Sequence, residues 1–206
     1  MENCKTVHHE RLILLKKERV DALNRKIAER YPDERIVFGY GNLNSNIMLI
    51  GEAPGSKEAE LGKPFVGQAG KHLDEFLQIL NIKKEDVYIT NSVKFRPTKI
   101  NPKTGRLSNR TPTTKEIDDF REFIYEEIDI IRPEIIVTLG NIPLKSIFSH
   151  NTKIGDVHGK LLSVEINGQE YNLFPLYHPA AVIYNKGLKD VYISDLEKLK
   201  KEIEKI

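Results

Sequence analysis

Cysteine is almost absent from this chain: Cys4 is the only one in 206 residues. An internal disulfide framework is therefore excluded, and so is a metal site built on four thiolates. Both exclusions suit a reducing compartment, so the expected location is cytoplasmic. Long apolar runs are absent too. No stretch approaches the roughly 18 apolar residues that a membrane-spanning helix needs. In the N-terminal MENCKTVHHERLILLKKERV the longest apolar run is four residues, so no secretory signal is expected. Charge of one sign is not in surplus either. The net charge is +2, which neither predicts nor excludes a polyanionic partner, because a local patch decides that. No internal repeat is visible, and no metal-binding spacing such as H-E-x-x-H or C-x-x-C occurs. His8-His9 is a weak ligand pair at best.

What remains is an ordinary globular composition, 39% hydrophobic and 30% charged. The length favours one domain spanning residues 1–206, with room for a sizeable core. Apolar spacing predicts an amphipathic helix at about 10–30, a short strand at 35–38 followed by Gly-Tyr-Gly, and a buried strand at 46–50. A helix is expected at 70–80, where Leu73, Phe76, Leu77 and Leu80 share one face, and a second buried strand at 86–93. Thr113-Thr114-Lys115-Glu116 has the form of a capping box opening a helix to about Arg132. Pro133 stops it, and a third buried strand is expected at 134–139. A short helix at 141–148 comes next. Strands at 161–166 and 170–174 then flank Asn167-Gly168, a two-residue hairpin signal. A helix at 188–206 closes the chain. Continuously apolar strands alternating with helices predict an α/β fold with a mainly parallel sheet covered on both faces. In such sheets ligands bind beyond the carboxyl ends of the strands.

Three segments fall there. The first, GEAPGSKEAELGKPFVGQAG at 51–70, carries five glycines but neither G-x-G-x-x-G nor G-K-[ST], so no phosphate cradle is encoded. Glu52 is either a solvated loop residue or a carboxylate facing the ligand crevice, able to stabilise positive charge or orient a water. Phe65 is either a core ring or part of that site. The second is Asn91, ending VYITN: a turn former, or an amide suited to the edge of a nucleobase. After it, residues 94–110 hold six basic residues and no acidic one. That is either a solvated loop or a phosphate-contacting one. The third is His178 before Pro179, an unremarkable histidine or a donor to an anionic leaving group.

Taken together, GEAPG…GKPFVGQAG, ITNSVKFRP and YHPAAVI resemble the uracil-DNA glycosylase superfamily, most of all its family 4. The resemblance runs from about Ile36 to the terminal helix. It implies a three-layer α/β/α fold around a four-stranded parallel sheet, and hydrolysis of the bond between uracil and deoxyribose, the start of base-excision repair. It implies catalytic roles for Glu52, Glu58 and His178. Phe65 would stack on uracil and Asn91 would read its edge, with Gly51 and Ala53 lining the base. DNA contacts are expected from Lys94, Arg96, Lys103, Arg106 and Arg110, and from Pro179 and Ala180. The partner would be uracil-containing DNA, single- or double-stranded, with no membrane, and the chain would act as a monomer.

The chain also departs from this pattern. Family 4 holds a four-iron cluster on four cysteines. Phe95 stands where one lies between Lys and Arg-Pro, Phe120 matches another, and the N-terminal pair falls near residues 24–27. The expectation is therefore no cofactor, and an apolar cluster of Phe95, Phe120 and the N-terminal helix instead. Glu58-Ala59 replaces Glu-Asp, and Tyr184 stands where the family often has Arg. No histidine lies in residues 94–110, so covalent capture of the sugar is not expected.

Overall fold

The apolar runs become sheet strands because each has buried neighbours on both faces. The computed structural model describes residues 2–184 and 186–206, and side chains for 10–182 and 187–206. In chain order, helix α1 is Glu2–Arg30, then β1 Tyr40–Gly41, β2 Ile47–Gly51, α2 Ser56–Leu61, α3 Gln68–Leu80, β3 Tyr88–Asn91, β4 Thr98–Ile100 and β5 Leu107–Asn109. They are followed by α4 Thr114–Ile131, β6 Ile135–Leu139, α5 Asn141–Ile147, α6 Ile154–Val157, β7 Leu162–Ile166, β8 Gln169–Leu176, α7 Pro179–Tyr184 and α8 Lys189–Ile203. The main sheet runs β1-β3-β2-β6-β8-β7. Its four central strands are parallel, and β1 and β7 add antiparallel edges.

Alternation along β2 sends Ile47 and Leu49 to one face and Met48 and Ile50 to the other. On the first face α3 and α8 pack through Leu73, Phe76, Leu77, Leu196 and Leu199. On the second, α4 and α5 pack through Ile124, Ile128, Ile131 and Leu144. This is the expected α/β/α layering. Helix α1 adds a further layer, its Val20, Leu23 and Ile27 meeting the far side of α4.

Local signals act as anticipated at two points. Thr113 caps α4: its Oγ1 accepts from the Glu116 N–H, and Glu116 accepts in return from the Thr113 N–H. Asn167 and Gly168 both take positive φ (52° and 79°), the requirement of a tight two-residue hairpin turn.

Three elements differ from expectation. The strand expected at 35–38 is not one. Ile36 and Phe38 pack into the α1–α4 cluster, and one backbone bond, Val37 N–H to Lys94 O at 2.7 Å, ties the segment down. The edge strand forms instead in the following Tyr40–Gly41. The glycine segment 51–70 contains a helix, α2. The basic segment folds back as the β4–β5 ribbon, with Thr98 opposite Asn109 and Ile100 opposite Leu107. Among the described residues no helix is long and apolar enough to cross a membrane.

Candidate active site

Parallel register brings the distant segments together. Gly51 pairs with Asn91 across β2 and β3, and Leu139 with Leu176 across β6 and β8. The residues that follow these strands therefore share one end of the sheet. There they line a cleft of about 490 Å³ whose walls include Glu52, Ala53, Glu58, Phe65, Asn91, Asn109, Arg110 and His178.

The backbone around Glu52 is fixed while its side chain is not. The Gly51 carbonyl accepts from the Ser92 N–H (2.9 Å) and hydroxyl (3.1 Å), and the Glu52 carbonyl from the Val93 N–H (3.1 Å). The Glu52 carboxylate has no hydrogen-bond partner among the described residues, and burial pushes its pKa up. Asn91 is buried, at 3% exposure, and its amide likewise has no protein partner. Phe65 is also buried, and its ring lies against Gly51. A methyl group added to Gly51 would stand 2.5 Å from both Phe65 Cζ and Asn91 Oδ1. Gly51 thus acts by having no side chain, letting ring and amide approach the same point. Phe65 itself takes φ 52°, an unfavourable conformation for a bulky residue. Its carbonyl is held by the Lys84 ammonium at 3.1 Å. A Cβ on Gly70 would stand only 2.0 Å from that same carbonyl oxygen, so strain is locked in by α3.

Glu58 has a different situation from Glu52. It is buried, and its Oε1 accepts from the Gly67 N–H at 2.8 Å. A Cβ on Gly55 would come within 2.8 Å of its Oε2. Glu58 therefore ties α2 to the Gly67 backbone just before α3, and one of its oxygens is committed there.

His178 sits on the turn between β8 and α7. Its Nδ1 accepts from the Ala180 N–H at 3.2 Å, which places the ring proton on Nε2. Burial, and secondarily the neighbouring His72, hold its pKa below the ordinary imidazole value, so the ring is neutral near pH 7. Gly140, with φ 102°, allows this turn to approach: its added Cβ would be 3.3 Å from His178 Cβ. Behind the turn, Tyr177 packs on His158 (ring centroids 4.7 Å apart), and His158 Nδ1 bonds the buried Asp195 at 2.6 Å.

The predicted DNA contacts divide. Lys94 is a correction. It is 1% exposed, and its ammonium bonds Glu127 Oε2 at 2.5 Å and the Thr90 hydroxyl, so it cannot reach DNA. The same Glu127 accepts from the Tyr88 hydroxyl at 2.8 Å. Arg110 makes a two-pronged bond to Glu116, at 2.7 and 2.6 Å, which holds that carboxyl down at about 2. Arg96 donates to Asn109 Oδ1 at 2.7 Å. Lys103 and Arg106 are exposed at the ribbon's turn. Pro179 is buried and Ala180 half-buried at the start of α7. The Tyr184 side chain lies outside the described residues. Sequence reasoning did not pick out Gln68, Pro97 or Asn109, which also line the cleft. For Asn109 the signal was only its place at the end of the basic segment.

The arrangement offers an aromatic face, an amide edge, an N–H donor and a bare carboxylate converging on one cleft. That set suits a planar heterocycle with hydrogen-bonding edges, and a bond whose cleavage separates charge. Comparison with known proteins points the same way. The family model described as the Uracil DNA glycosylase superfamily matches residues 38–201. The chain is 40% identical to the Type-4 uracil-DNA glycosylase of Archaeoglobus fulgidus, over 79% of each chain. It is 42% identical to that of Saccharolobus solfataricus, over 81% of this chain and 76% of the relative. With the Thermotoga maritima enzyme of the same name it shares 37%, over 82% and 84%.

Proposed function

The chain belongs to the Uracil DNA glycosylase superfamily, and from that premise we propose that it hydrolyses the N-glycosidic bond of uracil in DNA. The observation that carries the reading is the Asn91 amide, which lines the cleft beside the Phe65 ring with no hydrogen-bond partner among the described residues. An amide held in a largely buried position with its donor and acceptor free is set to pair with the edge of a ligand. Uracil supplies a ring to stack and an edge to pair. Stacking on Phe65 is worth roughly 1–3 kcal/mol per base. Cytosine presents the reversed donor pattern at that edge and leaves the amide unpaired.

A base within a duplex must first be turned out of the stack to reach the cleft. As the bond lengthens, the sugar gains oxocarbenium character and the base becomes an anion. The neutral His178 donates its Nε2 proton as a hydrogen bond to the anionic base. The Glu52 carboxylate, half-buried and unpaired, stabilises the cation and orients the attacking water. Preorganised groups of this kind contribute several kcal/mol each to lowering a barrier. In this reading Glu58 holds the loop that carries Glu52 and Phe65. Lys103, Arg106 and Ala180, at the start of α7, meet the DNA backbone, while buried Pro179 shapes the turn. The acting unit is a single chain in a reducing cytoplasm.

The four-iron cluster of family 4 does not fit the residues present. Phe95 and Phe120 are buried with ring centroids 5.8 Å apart, and Tyr31 stacks on Phe120 at 4.6 Å. Phe123 closes the group. The three phenylalanine rings carry no ligating atom, and Cys4 is the only cysteine. Among the described residues no group of His, Cys, Asp and Glu is placed to hold a metal. The aromatic cluster takes over the structural work of joining α1, α4 and the segment after Asn91. Stoichiometric iron in the purified protein would overturn this assignment. The activity is tested by incubating the protein with oligonucleotides carrying U, hypoxanthine or T and cleaving abasic sites with alkali. Strand scission at U alone is expected. Tight binding without scission would mean a binding protein of the same fold, and scission at hypoxanthine would mean a different base specificity.

A further inference from the structure

We propose that His158 is a positioning residue: held by Asp195, it fixes through Tyr177 the turn that carries His178. The proposal rests on the uracil-DNA reading above, in which His178 donates to the leaving base. It starts from a buried group that this chemistry leaves unused. Asp195, on α8, is 0% exposed. Burying a carboxylate costs stability that an apolar side chain at the same place would not. Its two partners differ in kind. Lys198 lies one turn along the same helix, half-exposed, with its ammonium 3.0 Å from Oδ1. His158 comes from the turn after α6, and its Nδ1 donates to Asp195 Oδ2 at 2.6 Å. A carboxylate only accepts, so this bond sets the tautomer of His158 and the orientation of its ring.

The oriented ring lies against Tyr177, with centroids 4.7 Å apart and planes inclined at 38°. Tyr177 is the residue before His178. The same turn grips β8 a second time, because the Gly159 N–H donates to the Pro175 carbonyl at 2.9 Å. Gly159 takes φ 65°, and a Cβ there would stand 2.0 Å from Asp195 Oδ1, so only glycine lets the chain close on the carboxylate. On the other side of His178, the Ala180 N–H meets its Nδ1, and the Ala181 N–H donates to its carbonyl at 2.9 Å. The histidine is thus held by α7 after it in the chain. Before it in the chain, Asp195 holds it through His158 and Tyr177.

A donor lowers a barrier only if it is aimed before the charge develops. Misplacement by about 1 Å can cost on the order of 10²-fold in rate. Loss of the orienting ring should therefore slow bond cleavage and leave DNA binding intact.

The test is His158→Ala beside the parent protein, with the melting temperature as control. At saturating DNA the single-turnover rate of uracil release should fall about tenfold, while the half-saturating DNA concentration stays within about twofold. His158→Phe keeps a ring beside Tyr177 but cannot bond Asp195, and it should be slowed as well. Lys198→Met removes the other partner of Asp195 and should leave the rate unchanged. A second readout needs no activity: the imidazole nitrogen chemical shifts of His178, assigned against His178→Ala. They should report the Nε2–H tautomer in the parent and a mixture of tautomers in His158→Ala. An unchanged rate, a loss carried by weaker DNA binding alone, or unchanged His178 shifts overturns the proposal. So does His158→Phe at the parent's rate, or Lys198→Met as slow as His158→Ala. Should His158→Ala fail to fold, His158→Phe and its His178 shifts decide in its place. Failure of the unmodified protein to release uracil would count against the proposed function, and the shifts would still judge the link to His178.

Discussion

Two carboxylates lie beside the parallel sheet, and the protein treats them in opposite ways. Glu127, on α4, is 2% exposed and fully engaged by Lys94, Thr90 and Tyr88. Glu52, after β2, lies partly buried with no partner. The first follows the rule for buried charge, which is tolerated when paired and hydrogen-bonded. The second breaks it, as do the open amide of Asn91 and the strained backbone of Phe65. All three exceptions border one cleft. Buried His72 Nε2, Thr138 Oγ1 and Tyr192 Oη also lack partners among the described residues, but only at the cleft do a carboxylate, an amide and a strained ring meet, and that gathering marks the candidate site of chemistry.

The largest expected effects come from filling or deleting the unmet groups. Asn91→Ala and His178→Ala should each lower the single-turnover rate of uracil release by about 10²–10³-fold. Both should leave the circular dichroism spectrum unchanged. A rate near that of the parent protein in either variant would remove that residue from the site.

Breaking the paired carboxylate should do the reverse. Glu127→Ala strands the Lys94 ammonium in the core and should cost about 3–5 kcal/mol in urea unfolding. Replacing both members, as in Lys94→Met/Glu127→Leu, should recover most of that loss. If the single variant is no less stable than the parent, the network is not holding β3 to α4.

A smaller effect is expected at the α4 cap. Glu116 titrates at about 2, below its ordinary value, because Arg110 and the Thr113 N–H favour its charged form. A depressed folded pKa gives stability that is present above the unfolded value and lost as pH falls toward the folded one. The melting temperature should therefore drop between about pH 5 and pH 2. Glu116→Gln should cost about 1 kcal/mol at neutral pH and flatten that part of the profile. A profile identical to the parent's would show that the cap adds nothing.

The smallest stability effect belongs to Glu52. Burial raises its folded pKa above the unfolded value, so its charged form is disfavoured by folding. Above the folded pKa it lowers stability, and the penalty disappears as pH falls. Glu52→Gln should therefore raise the melting temperature by a few degrees at neutral pH, while lowering activity. A drop instead would mean the carboxylate is held by the fold.

How far the sequence foretold this molecule depends on which force shapes each segment. Apolar periodicity gave the parallel core and its helices, because burial on two faces leaves continuous apolar runs. The cleft followed, since Glu52, Asn91 and His178 all lie just beyond strands. Residues 35–38 misled because Ile36 and Phe38 pack against helices, and alternation looks the same whichever surface buries it. The charge count of residues 94–110 misled for a related reason. Formal charge says nothing of burial, so Lys94 and Arg106 looked equivalent, although one is sealed in the core and the other faces solvent. Glu58 read as an acid in a loop, while its work is to accept a backbone N–H from nine residues away. No local pattern reveals a partner at that distance. The loss of the cluster cysteines was plain in the sequence. The stack of Tyr31 on Phe120 was not, because Tyr31 comes from the end of α1.

The contrast between the two carboxylates is tested most directly by the pH dependence of single-turnover uracil release for Glu52→Gln beside the parent protein. The parent's rate should fall as pH drops through a value above that of an ordinary carboxylate. The variant should be slow at every pH and lack that acid limb. A variant as fast as the parent, or one with the same acid limb, would contradict it.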